Sequence, residues 1–165
     1  MEGVGDFEAV FHSHYERVAR TIGRVIGDAA RAEDLAVEVF WKLWRNPQAL
    51  GENAGGWLYR TAVRSGLNEL RHRVRRARYE SLSGPLEPSL TPEQARAAEE
   101  EQEHVRLVLA AMDSRQAELL LLRAGGLKYD ELASALNLHP ASVGTLLSRA
   151  QEAFRKEYVK RYGQH

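Results

Sequence analysis

The sequence predicts an all-α chain made of two small helical domains. Apolar residues recur at steps of three and four along most of its 165 residues. No stretch alternates apolar and polar residues as a half-buried strand would. Three of the five prolines fall in SLSGPLEPSLTP at 81–92, which follows neither period. Proline lacks an amide donor and restricts its neighbours, so this segment reads as a connector. The expected division is an N-terminal domain over 1–80, a Pro-rich acidic linker over 81–98 and a C-terminal domain over 99–165.

Each helix follows from a period and a stop. Phe7, Phe11, Tyr15, Val18, Ile22 and Val25 set the first helix, with Asp6 as its expected N-cap and Gly27-Asp28 as its end. The second runs from about Ala29 to Arg45 and stops before Pro47. NPQALGENAGG at 46–56 reads as a loop with three glycines, and a third helix follows from about Trp57 to Arg78. Thr91-Pro92-Glu93-Gln94 is a capping box with proline at the first helical position, opening a helix through Ala111. Asp113 to Gln116 opens another that ends near Gly125. Two more helices are expected at about 129–136 and 140–158.

Composition excludes several classes. There is no cysteine, so no disulfide scaffold, thiolate metal site or cysteine nucleophile. No apolar run reaches the roughly 18 residues of a membrane span. The acidic start MEGVGDFEAV has no signal-peptide core, so a cytoplasmic protein is expected. His12-Ser13-His14 does not suggest a metal site, because residues two apart do not share a helix face; surface histidines are expected. No phosphate loop or nucleophile motif appears, and no cofactor, metal or catalytic residue is expected. The 23 basic and 23 acidic residues cancel, which argues against binding nucleic acid by bulk basicity. Yet the charge is segregated: Arg60 to Arg78 carries +6, Glu80 to His104 carries −6, and the stretch from Arg149 to the end carries +3.

Three helix faces carry more than packing. On helix two, Leu35, Ala36, Val39, Phe40, Leu43 and Trp44 gather on a core side. Asp34, Glu38, Trp41 and Arg45 fall opposite, and an indole between carboxylates suits a protein-binding anchor. A solvated face with one stray aromatic is the alternative. On helix three, Tyr59, Ala62, Val63, Gly66, Leu67, Leu70 and Val74 make the buried stripe. Trp57, Thr61, Arg64, Asn68, Arg71 and Arg75 make the opposite one, flanked by Arg60 and Arg78, with Glu69 as the only acid and no lysine. Guanidinium groups meet phosphates, while aromatic and amide groups meet bases, so this face suits a nucleic-acid strand. The loop at 46–56 is the natural place for a pocket that takes an unstacked base. Finally, YDELASALN, the turn at 137–139 and the helix opened by Pro140 read as a helix-turn-helix. Val143, Leu147, Ala150, Phe154 and Tyr158 would be buried, and Ser142, Thr145, Ser148 and Arg149 would face a major groove.

Together these stretches resemble the extracytoplasmic-function (ECF) sigma factors of bacterial RNA polymerase. GDAARAEDLAVEVFWKLWR is similar to the family's polymerase-docking helix, and WLYRTAVRSGLNELRHRVRR to the helix that melts and reads the downstream promoter element. DSRQAELLLLRAGGLKYDELASALNLHPASVGTLLSRAQEAF is similar to the region that reads the upstream element. The resemblance implies a dissociable polymerase subunit with no reaction of its own. Asp34, Glu38, Phe40 and Trp44 match the docking motif; combined with the helix wheel, the expected polymerase contact is Asp34, Glu38, Trp41 and Arg45. Trp57, Arg60, Arg64, Asn68 and Arg71 match the strand-holding helix, and Thr61 and Arg75 share its stripe. The acidic connector is expected to thread the polymerase toward the RNA exit path.

Some positions depart from the family. Arg64 stands where Asn is common, Asn68 where Asp is common, Val37 where Gln is usual and His139 where a Ser cap is usual. Gly144 and Leu146 bring no cation to the recognition helix, so weak autonomous DNA binding is expected. The implied partners are core RNA polymerase, promoter DNA and, as for many relatives, an anti-sigma protein; the free chain is expected to be a monomer. The alternative is a stand-alone helix-turn-helix regulator that binds duplex DNA without polymerase.

Overall fold

Gly27 and Asp28 show how the chain places its turns. Gly27 takes φ 70°, the left-handed conformation that ends a helix at little cost to glycine, and its amide bonds Gly23 O at 2.7 Å. Asp28 then caps the next helix by accepting the Arg31 amide at 3.1 Å. The computed structural model describes residues 2–83 and 93–163. It contains α1 (Glu2–Ile26), α2 (Ala29–Trp44), α3 (Ala54–Ser83), α4 (Glu93–Ala111), α5 (Ser114–Ala124), α6 (Tyr129–Leu136) and α7 (Val143–Tyr162). Short 3-10 turns at Pro47–Leu50 and Pro140–Ser142 precede α3 and α7, and no strand occurs among the described residues.

Several boundaries differ from expectation. Asp6 lies inside α1, which starts at Glu2. An interior Asp costs only a few tenths of a kcal/mol, and Phe7 already packs edge-on to Phe40 of α2 at 6.3 Å. The third helix starts at Ala54, where the Trp57 amide bonds Asn53 O at 3.1 Å, so Gly55 and Gly56 form its first turn. Helix also covers 81–83 and 93–98 of the expected linker; in 93–98 Glu, Gln, Ala and Arg favour it. Residues 84–92, with Thr91 and Pro92 of the expected capping box, lie outside the described residues. The other caps behave as expected: Asp113 accepts the Gln116 amide at 3.2 Å, and Asn137 closes α6 at φ 54°. His139 acts as a cap in its own right, its Nδ1 accepting the Ala141 amide at 3.2 Å.

The core of α1, α2 and α3 is built on Val18, Ile22, Val39, Leu43, Leu58, Ala62 and Val63, all fully buried. The C-terminal helices bury Leu122, Leu132, Val143, Leu147 and Ala150. Phe154 and Tyr158, expected in that stripe, are half-buried. Leu122, Leu132, Val143, Leu147 and Ala150 join one contiguous apolar cluster with the N-terminal core, because α4, α5 and α6 pack on the side of α3 that α1 and α2 leave open. Leu67 of α3 completes the contact among Val108, Leu109, Met112 and Ala117.

Glycine lets α1 and α3 approach closely. A Cβ at Gly66 would lie 2.9 Å from Val25 Cγ1 and 3.0 Å from its Cβ. Gly66→Val is therefore expected to destabilise the fold by about 1–3 kcal/mol. Thermal melting checks this, with a fall of roughly 2–4 °C per kcal/mol for a chain of this size. Polar bonds then fix the corner: Arg31 bonds Glu69 at 3.2 Å, and Arg73 donates to Ile26 O at 2.9 Å and Asp28 at 3.3 Å. The hydrogen bond from Arg31, then the charges of Arg31 and Arg73, hold the Glu69 carboxyl below its usual range.

Candidate polymerase and nucleic-acid surfaces

On α2, Asp34, Glu38, Trp41 and Arg45 all face solvent as the helix wheel predicts. Trp41 is 55% exposed, and the Arg45 guanidinium lies 5.9 Å from its ring centroid. Trp44 departs from expectation: it is 43% exposed, with its ring edge-on to Phe7 at 5.1 Å. Trp44, Val37 and Trp41 lie within about 60° of helix arc beside the buried Phe40, and α1 covers only part of that arc. Phe7, Phe11, Val37, Phe40, Trp41 and Trp44 thus line an apolar groove of about 350 Å³ between α1 and α2. Asp34, Arg45 and Glu38 follow next around the helix and make its polar rim. The sequence signal for the groove was Val37, an apolar residue next to the polar stripe.

On α3, the expected outward stripe is only partly outward. Arg64, Asn68 and Arg75 are exposed, while Trp57, Arg60, Thr61 and Arg71 are half-buried. The C-terminal helices lie along this face. Arg60 Nη1 donates to Ala135 O at 3.1 Å, and Arg64 pairs with the buried Glu118. Arg71 donates to Ala110 O at 3.0 Å, Met112 O at 2.9 Å and Ser114 Oγ at 2.7 Å. The helix wheel missed this because it knows only the helix's own period. Burial and the neighbouring Arg64 charge disfavour the ionised form of Arg60, and its Nε is buried without a hydrogen-bond partner among the described residues.

Beside this face, Gln48, Glu52, Asn53, Trp57 and Arg60 border a polar depression of about 440 Å³ in the 46–56 region. An indole wall with amide and guanidinium groups can stack and hydrogen-bond a planar heterocycle. Close by, His14 is half-buried and bonds Tyr59 Oη at 2.7 Å, so it is not the surface histidine expected; His12 is exposed. Burial, then the Arg17 charge, holds the His14 pKa below 6.5. A depressed value favours the neutral ring, so its contribution to stability is complete above 6.5 and is lost as pH falls through the folded value. The melting temperature is expected to drop between pH 7.5 and 5.5, and His14→Gln to flatten that drop; an equal drop in both would remove this assignment. No group of three or more metal-binding side chains occurs among the described residues.

On the C-terminal side, Ser142, Thr145, Ser148 and Arg149 are exposed along the start of α7, above the buried Val143, Leu147 and Ala150. Tyr129, which the periodicity did not single out, stands at the same front: it is 47% exposed, with Arg123 over its ring at 5.2 Å. A Cβ at Gly144 would meet the Tyr129 ring at 3.6 Å, an ordinary contact.

The described residues thus combine an apolar groove, an arginine-rich helix and a helix-turn-helix. The family model Sigma-70 region 2 matches residues 10–76, and Sigma-70, region 4 matches 102–153. The chain is 32% identical over 143 residues to the probable RNA polymerase sigma factor RfaY of Xanthomonas campestris, covering 82% of this chain and 36% of that protein. It is 28% identical over 155 residues to the ECF RNA polymerase sigma factor SigL of Mycobacterium tuberculosis, covering 89% of this chain and 85% of SigL. The chain thus spans about a third of the first relative and most of the second. Two solved structures share the fold. CnrH in complex with the cytosolic domain of CnrY gives a TM-score of 0.55 at 18% identity over 91% of this chain and 85% of that one. The sigma factor RpoE of Bartonella quintana in complex with the anti-sigma factor NepR gives 0.53 at 19% identity over 92% of this chain and 96% of that one. The chain belongs to the sigma-70 family of RNA polymerase sigma factors, and within it to the ECF type. Sigma factors are promoter-specificity subunits of RNA polymerase and not enzymes.

Proposed function

We propose that the chain joins bacterial core RNA polymerase through α2, holds the opened promoter strand on α3 and reads upstream duplex with α7. Asp34, Glu38, Trp41 and Arg45 would make the polymerase contact, with the apolar groove seating the partner's side chains. Trp57, Arg60, Thr61, Arg64, Asn68, Arg71 and Arg75 would hold the strand, and the depression next to Trp57 would take an unstacked base. Ser142, Thr145, Ser148 and Arg149 would meet the major groove. Residues 1–80 and 99–165 would form the two functional units, joined by the 81–98 connector. The exposed Glu99, Glu100, Glu101 and Glu103 of α4 give the stretch beside the connector the negative charge that a basic channel would accept.

One observation carries this reading: an apolar groove rimmed by Asp34, Glu38 and Arg45 lies between α1 and α2, while cations and amides occupy a separate stripe on α3. Groove and rim suit a protein; arginines with Trp57 and Asn68 suit nucleic acid. Such a subunit has no reaction of its own and works in the cytoplasm with polymerase. No described helix is long and apolar enough to cross a membrane. An anti-sigma protein is a proposed further partner, since both structural relatives are bound to a second protein, one of them an anti-sigma factor. The test is capture of core polymerase by the tagged chain, followed by run-off transcription on a promoter library. Polymerase-independent binding to duplex DNA as a dimer, with no capture, would favour a stand-alone regulator instead.

A further inference from the structure

We propose that the cavity between α1, α4 and α5 is a binding site for a small amphipathic carboxylate, with the ligand's apolar body among aliphatic walls and its carboxylate on Arg24 and Arg106. The cavity holds about 430 Å³. Small-molecule sites usually hold about 300–1,000 Å³. None of its lining residues belongs to the surfaces assigned above to polymerase or to DNA. The walls are aliphatic: α1 supplies Val25, α4 supplies Val105 and Leu109, and α5 supplies Leu121. Val105, Arg106 and Leu109 stand at steps of one and three on α4, so one face of that helix presents both the apolar wall and a cation.

The two arginines are placed differently. Arg106 is held: its Nε donates to Val25 O at 3.1 Å, and its guanidinium lies over Gly27, where a Cβ would stand 2.6 Å from Cζ. Its Nη1 reaches the exposed Glu103 at 3.7 Å, and its Nη2 has no hydrogen-bond partner among the described residues. Arg24 is exposed and reaches from α1 toward the end of α5, with Nη2 3.9 Å from where a Cβ on Gly125 would stand. It has no hydrogen bond or ion pair among the described residues. Negative charge is meanwhile kept out of the cavity. Residues 99–103 read EEEQE, and Gln102, the one of them that lines the cavity, is the one that is not an acid. Guanidinium groups take a carboxylate through paired N–H donors. An inorganic anion would leave the aliphatic walls unfilled, and a neutral hydrocarbon would leave the guanidinium groups without a partner; a carboxylate on an aliphatic chain meets both. Because the walls come from α1 on one side and from α4 and α5 on the other, an occupant stabilises their packing.

The full chain is titrated by calorimetry with sodium octanoate, with 1-octanol as the uncharged probe and sodium acetate as the probe without a chain. Octanoate is expected to saturate one site, to raise the melting temperature and to bind at least about tenfold more tightly than either of the others. Gln102→Glu puts a carboxylate where the acidic run omits one, and Arg24→Gln removes a guanidinium. Each is expected to weaken octanoate at least about tenfold. Both positions are exposed, so the unliganded variants should melt with the parent chain. Arg20→Gln removes an exposed α1 guanidinium outside the cavity lining and is expected to leave octanoate affinity unchanged. Absence of saturation below about 1 mM octanoate overturns the proposal, as does equal affinity for octanoate and 1-octanol. Unchanged affinity in Gln102→Glu, or a loss in Arg20→Gln as large as in Arg24→Gln, places the binding elsewhere and also overturns it. Should Arg24→Gln fold poorly, Gln102→Glu carries the test.

Discussion

Replacing Trp41 and Asp34 together with alanine is expected to weaken capture of core polymerase on the order of a hundredfold and to leave the fold intact. Trp41 is 55% exposed and Asp34 is also exposed, so neither truncation opens a cavity in the core. A partner seated on Trp41 would bury an indole at the centre of an apolar groove, where truncation typically costs about 2 kcal/mol or more. Each 1.4 kcal/mol or so is tenfold in affinity. Removing Asp34 adds the loss of a rim charge, which acts mainly on association rate and salt dependence. Binding would be measured at two salt concentrations, alongside thermal melting. Unchanged affinity in a folded variant removes the docking assignment.

Arg64→Ala with Arg71→Ala is expected to reduce promoter opening at least tenfold while polymerase affinity changes little. Each guanidinium removed from a strand takes away a phosphate contact and lowers the salt slope by about 0.7 for single strands. The pair lies on α3, away from the α2 groove, so docking and opening separate. Permanganate footprinting reports opening, and capture of polymerase reports docking. Equal loss of both would show that the two faces are not independent. The same variant also strips Glu118 of its partner and α4 of its guanidinium cap. An unpaired buried polar group costs about 1–3 kcal/mol, so the free chain should melt earlier than the parent.

Local pattern accounts for much of this. The apolar period placed seven helices, and the polar stripe of α2 stands where the wheel puts it, from Asp34 to Arg45. The helix-turn-helix was legible because Asn137 and Pro140 punctuate it strongly. Two helix starts were displaced. Asp6 and the glycines at 55 and 56 carry preferences of a kcal/mol or less, which neighbouring contacts override. Trp44 and Val37 were harder to place, because a residue at the edge of an apolar arc is buried or exposed according to how far the next helix reaches. His14 needed Tyr59, which lies 45 positions away.

The sequence by itself determined the helices, their faces and the segregation of a +6 stretch from a −6 one within a neutral chain. Those are local properties, set by spacing at 100° per residue and by the chemistry of single side chains. The tertiary structure alone decided what the arginine stripe meets. Arg64 and Glu118 are 54 positions apart, and the acceptors of Arg71 include two backbone carbonyls, Ala110 O and Met112 O, where another helix ends. A backbone carbonyl has no side-chain signature, and its availability depends on where a helix stops and what packs against it. The stripe was therefore readable as a cationic face, but not as one that the chain itself covers.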